Sequence, residues 1–374
     1  MGKKKMISSH SVVDAKEKKW QVARGIAIIC VILIHCPNGI QLPHDSLGFN
    51  TWLVMRQFIN FPVALFFFMA GRFQNIEKYD NYWTFLKNRG GYRLLFPFLF
   101  WSTIYAFSGS LKSILANEQV DVINTLLKIG SGSTAPHLYY IIVLIMFTIC
   151  APILVRCVKS SHKWIRIAIY GLTPMWFCFL YWFSITHKML PKMYNYIPFS
   201  WILFYIHGLS IRYGIVTLNN KSARLGRRKF LEKGKCFVLI TAIILEIVEA
   251  YLILGIGGPV EFACSQIRIS AFLLTFVVIY IFEKWNYSSD SAVYRFLSLV
   301  GDYSYGIYFV HYFFVLIGKK LTQILSVKLN GLEWFNNILI VLPISLLGSM
   351  LFIFLIRMLF KKFNLLKYVS YFGL

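Results

Sequence analysis

Residues 16–42 read KEKKWQVARGIAIICVILIHCPNGIQL. Arg24 and His35 stand eleven residues apart in this stretch, and the residues between them are almost wholly apolar. On an α-helix that separation is roughly three turns and about 16 Å of rise, so both side chains fall on nearly the same face at different heights. A membrane helix built from it has a cation at its entrance and an imidazole deep inside.

The rest of the chain favours a membrane. Of 374 residues, 57% are hydrophobic and only 14% charged, with a mean hydropathy of +0.61, too apolar for a soluble domain of this size. The net charge of +24 raises nucleic acid as a partner, but the cations come as short clusters between long apolar runs rather than on one soluble face. No nucleic-acid partner is expected. The first apolar run is followed by Cys36-Pro37-Asn38-Gly39 rather than a small-residue cleavage site, so it is read as a retained span and not a cleaved signal. Seven scattered cysteines show no paired spacing, and they are read as small apolar fillers rather than metal ligands.

Ten apolar segments of spanning length can be read, at about 22–41, 51–71, 92–110, 138–156, 165–184, 199–217, 236–256, 264–282, 303–319 and 334–357. Their length and lack of alternation choose helix over barrel strand. The predicted fold class is therefore all-α, a polytopic membrane protein of about ten transmembrane helices. With the N-terminus inside, 30 of the 39 Lys and Arg residues fall on the inner side, which places both termini in the cytoplasm. The expected organisation is a cytoplasmic segment at 1–20, a ten-helix membrane domain at 21–360 and a cytoplasmic tail at 361–374. An outer stretch, LKSILANEQVDVINTLLKI, is weakly amphipathic and is expected along the outer leaflet. The basic inner loop at 219–235 is read as a topogenic or anionic-lipid contact.

Ionisable groups inside spans are costly, which makes each a candidate site. His35 lies past the midplane of the first span, and imidazole, which titrates near neutrality in water, suits a general base. By position alone it is either that base or a buried histidine bonded to a neighbouring helix. Arg24 is what topology requires at an inner helix end, and its alignment with His35 adds a functional reading. Arg89 and Arg93 precede the third span in KNRGGYRLLFPF, where guanidinium groups could grip phosphates or simply keep the loop inside. Gly90-Gly91 between them is expected to interrupt a helix. His311, three residues after Tyr308, shares its face, and either lines a cavity or bonds a neighbouring helix. Glu246 and Glu249 are expected to pair with Arg268 across neighbouring spans. No serine elbow, Walker sequence or zinc motif is present, so no nucleophilic serine or cysteine is assigned and no metal is expected.

Arg24, ten further residues and His35 in the first span resemble the signature of the acyltransferase family 3 membrane proteins. VALFFFMAGRF, KNRGGYRLLFPFLFW, HLYYIIVLIM and YSYGIYFVHYFF resemble that family's stretches in its order, over nearly the whole chain. The resemblance implies transfer of an acyl group, usually acetyl from cytoplasmic acetyl-CoA, to a hydroxyl of an envelope glycan or its lipid-linked precursor. It implies a catalytic role for His35, a supporting or donor-binding role for Arg24, and a functional requirement for Arg89 and Arg93. A multi-pass enzyme of the bacterial cytoplasmic membrane follows, with acetyl-CoA as co-substrate, no permanently bound cofactor, and other polysaccharide-biosynthesis membrane proteins as partners. A glycan exporter or flippase, and transfer of another acyl group such as succinyl, are the alternatives.

Overall fold

The computed structural model describes residues 2–36, 39–215, 225–285, 291–325 and 333–374, and of 2–17, 225–233, 325, 333 and 336 the backbone only. The chain is 80% helical, with no strand among the described residues, as the all-α reading requires. The helices are α1 (Gly2–His35), α2 (Leu47–Gln57), α3 (Pro62–Arg72), α4 (Tyr82–Phe85), a π-helix (Leu86–Leu95), α5 (Phe96–Leu115), α6 (Val122–Ser131) and α7 (Tyr139–Lys159). There follow α8 (Lys163–His187), α9 (Ile202–Arg212), α10 (Leu225–Gly255), α11 (Val260–Ala263), α12 (Ile269–Lys284), α13 (Ala292–Leu325) and α14 (Glu333–Lys362). Short 3₁₀ turns occupy Tyr194–Tyr196, Pro198–Ser200 and Leu366–Phe372.

Each of the ten predicted segments contains helix, and six helical stretches are long and apolar enough to cross a membrane. The remaining segments fall short for local reasons. The described apolar half of α1 carries Lys18, Lys19 and Arg24, α12 has 16 residues, and the apolar part of α13 is diluted by tyrosine, glycine and histidine. α9 has only 11 residues, about 16 Å of rise against a hydrocarbon core of about 30 Å. The segment read at 199–217 is thus corrected to a short helix entered through 3₁₀ turns around Pro198, and residues 216–217 lie outside the described residues. The outward stripes Phe237, Ile240, Ile244 and Leu252 on α10, and Leu347, Leu351 and Leu355 on α14, are exposed. Apolar surface on this scale belongs in lipid. α6, capped by the Asp121 side chain at Asn124 N (3.0 Å), likewise leaves Val122, Ile123, Leu126 and Leu127 exposed.

Several boundaries differ from the sequence reading, three of them around the candidate residues. α1 ends at His35, six residues before the predicted limit, because Cys36 precedes a proline and is steered away from helical geometry. The second span is broken: α2 stops at Gln57 and α3 starts at Pro62, whose ring fits a first helical position but removes an N–H from any continuing ladder. The third helical run begins at Tyr82 rather than 92, because the Asn81 side chain accepts from Thr84 N at 2.8 Å and starts it. Arg89 and Arg93 therefore lie within that run, and Gly90-Gly91 is passed as π-helix instead of interrupting it.

The chain divides into two compact units, one of Met1–Phe66, Ser184–Met189 and Leu218–Ile353, the other of Phe67–Phe183, Leu190–Thr217 and Phe354–Leu374. In the first unit α1 packs along α13 through a reciprocal glycine contact: a Cβ on Gly25 would strike the Leu297 carbonyl, and one on Gly301 the Gln21 carbonyl. Small residues let membrane helices approach closely where lipid offers no hydrophobic drive. Midway along α1, Lys19 Nζ donates to Glu283 O at 2.9 Å and Trp20 meets Phe282, so the middle of α1 lies against the end of α12. α10 and α12 are joined by the expected ion pairs. Arg268 NH2 meets Glu246 Oε2 at 2.5 Å and its NH1 lies 3.5 Å from Glu249 Oε2, with Arg268 and Glu246 fully buried. Asn60 Nδ2 donates to Glu246 Oε2 (3.1 Å) and Arg268 NH2 to Gln57 Oε1, which ties the broken second span into the same network.

In the second unit Gly71 of α3 and Gly208 of α9 make the equivalent contact, each facing the other helix's backbone. Around it Phe67 stands edge-on to Phe147, which stacks on Tyr205 at 4.8 Å. The residues expected as a tail fold back on α5: Trp101 Nε1 donates to Phe372 O at 2.8 Å, and Tyr371 packs on Tyr92 of the π-helix.

Candidate active site

α1 is helical without interruption from Arg24 to His35, so the predicted rise of about 16 Å and an angular offset of roughly 20° hold. Arg24 NH1 donates to Gln21 Oε1 at 3.1 Å, on its own helix, and remains partly exposed. His35 is the last residue of α1.

What the sequence left open was the partner of His35. Gly25 and Gly301 fix the pairing of α1 with α13, and His35 and His311 each lie ten residues beyond their glycine. With the helices running in the same direction, the two imidazoles meet, their centroids 5.5 Å apart and tilted by 41°. His311 is fully buried, whereas His35 is partly exposed. His311 Nδ1 lies 2.8 Å from Tyr308 O and 3.0 Å from Ile307 O. Carbonyl oxygens only accept, so Nδ1 carries the proton and neutral His311 has its lone pair on Nε2. Tyr308 enters the site through its carbonyl, and its ring, 6.3 Å from His311, is buried.

Tyr312 was not singled out in the sequence, yet its ring stands edge-on to His35 at 5.6 Å. Its signal was adjacency to His311 within a run of aromatic residues. Lys319 and Arg56 also lie within electrostatic reach of His35. Arg56 NH1 donates to Asn60 Oδ1 at 2.5 Å, which links the edge of the histidine pair to the buried network at the helix break.

Arg89 and Arg93 belong to the second unit, and Arg24 to the first. Arg89 NH2 donates to Phe73 O at 3.4 Å, at the end of α3, while Arg93 is exposed. Gly90 and Gly91 have room: a Cβ on Gly90 would find only ordinary contacts at 3.9 Å with Leu86 and Thr148. Long π-helical stretches are rare and recur at functional sites. Of the basic 219–235 loop, residues 219–224 lie outside the described residues.

The described residues form a polytopic all-α protein, with a histidine pair between α1 and α13 in the first unit and arginines on the π-helix of the second. The family model for acyltransferase family 3, described as an acyltransferase domain, matches residues 18–358, and the chain belongs to that family. No curated protein and no solved structure matches it.

Proposed function

We propose that this membrane acyltransferase is an O-acetyltransferase, moving an acetyl group from cytoplasmic acetyl-CoA to a hydroxyl of a cell-envelope polysaccharide or its lipid-linked precursor in the bacterial cytoplasmic membrane. The observation that carries it is the partly exposed His35 held against the buried His311 by the α1–α13 register. In this reading His35 takes the proton of the acceptor hydroxyl as its oxygen attacks the thioester carbonyl. The C–O bond forms, the tetrahedral centre collapses with loss of the C–S bond, and the His35 proton goes to the departing thiolate. General base catalysis of this kind typically contributes 10² to 10⁴ in rate. Attack by His35 itself, with an acetyl-imidazole between two transfers, is the variant of the same reading.

Tyr312 and the Nδ1-anchored His311 restrict how the His35 ring can sit, and positioning of that kind lets a base work without reorganising. The donor's nucleotide end is strongly anionic, and Arg89 and Arg93 on the π-helix are cations suited to it, while Arg24 supports His35 on α1. The test is mass spectrometry of the host's surface polysaccharide with wild type, a gene deletion and His35→Gln. O-acetyl groups lost in both deletion and variant, at equal protein level, support the assignment. Acetylation that survives His35→Gln removes His35 from it, a different acyl mass replaces acetyl, and unmodified polymer trapped inside the cell points to export instead.

A further inference from the structure

In the second unit, Gln74 Nε2, Arg89 Nε and the hydroxyls of Tyr205 and Tyr213 are buried polar atoms that meet no hydrogen-bond partner among the described residues. They converge from three elements. Gln74 follows Phe73, whose carbonyl Arg89 reaches, and the Gly71–Gly208 contact draws the end of α3 onto α9, the helix of Tyr205. The Tyr205 hydroxyl lies within electrostatic reach of Arg89 and Tyr213. Gln74 and Tyr205 are 6% and 1% exposed, so these are not surface groups awaiting bulk water.

The chemistry of the set is one-sided. An amide N–H and a guanidinium N–H only donate, and the two phenols are free to donate with them. Buried donors are costly to leave unmet, so a fold that keeps four together is built around an occupant that brings acceptors. Lys159, which covers the Tyr213 ring, is itself engaged by Glu77 at 2.8 Å. With Arg89 as the charged member, the complementary group is an oxyanion with several oxygens, which is a phosphate ester.

We propose that Gln74, Arg89, Tyr205 and Tyr213 form a phosphate-binding pocket that holds the phosphorylated end of the acyl donor, with Tyr205 as its most buried contact. This rests on acyl-CoA being the donor. It adds α9 and the end of α3 to the π-helix that carries Arg89.

The test uses the purified full chain in phosphatidylcholine nanodiscs and measures CoA binding for wild type, Tyr205→Phe and Gln74→Leu. About tenfold or weaker binding of CoA in the variants is expected, as for a lost hydrogen bond to a charged group. Their melting temperatures should not fall, because the atoms removed bond nothing in the protein. Acetylpantetheine, which lacks the nucleotide, should bind all three proteins alike. CoA binding equal to wild type in both variants overturns the pocket, and competition of CoA by added phosphatidylglycerol assigns it to a lipid headgroup phosphate instead. If wild type binds no CoA, the donor reading itself fails. Inorganic pyrophosphate then decides the pocket alone: binding that Tyr205→Phe weakens supports it, and none overturns it.

Discussion

Arg268 has no exposed surface, and it sits among apolar helices because every part of its guanidinium is answered. Nε donates to Ser265 O at 3.1 Å, NH1 approaches Glu249, and NH2 is shared by Glu246 and Gln57. Removing one partner from such a pair leaves an uncompensated buried charge, which costs about 3–5 kcal/mol, whereas replacing both partners by apolar groups costs far less. Arg268→Ala is therefore expected to lower the melting temperature of the purified protein sharply, and Arg268→Met with Glu246→Leu to recover most of the loss. A single variant that melts like wild type would deny the network its bracing role. His35 is a contrast at the same scale. Among its neighbours are the His311 ring at 5.5 Å and the Tyr312 edge at 5.6 Å, and the residue keeps some exposed surface.

At the scale of elements, glycine marks two different situations. Gly25, Gly71, Gly208 and Gly301 lie where one helix backbone touches another, and any side chain there meets main-chain atoms that cannot step aside. Gly90 and Gly91 lie on the π-helix with space around them. Gly71→Leu should thus abolish accumulation of folded protein, while Gly90→Ala should leave folding intact. Membrane protein levels and melting temperature, compared side by side, check both. Equal tolerance at the two positions would show that the α3–α9 contact is looser than drawn. The break between α2 and α3 was missed when 51–71 was read as one span, although Pro62 and the polar Gln57 and Asn60 beside it carried its signal. What received them, Glu246 and Arg268, was not legible.

For the molecule as a whole, the positive-inside bias remains the argument for orientation. A reporter that fluoresces only in the cytoplasm should light up when fused after Leu374 and stay dark when inserted after Asn117, between α5 and α6. The reverse pattern would invert the topology and with it the assignment of Arg24 to the donor side. The parallel α1 and α13 agree with spans one and nine crossing in the same direction.

The apolar runs determined the all-helical membrane class by themselves, because spanning length and composition are local properties of the chain. The same holds for Arg24 and His35, whose spacing on one uninterrupted helix is set by helix geometry alone. Tertiary structure alone decided that His311 is the neighbour of His35, 276 residues away in sequence. That pairing depends on which glycine of α1 lies against which glycine of α13, and a close approach between two backbones has no signature in either segment. The unmet donors around Tyr205 are of the same kind. A tyrosine in an apolar helix reads as core until the fold shows that nothing among the described residues receives its hydroxyl.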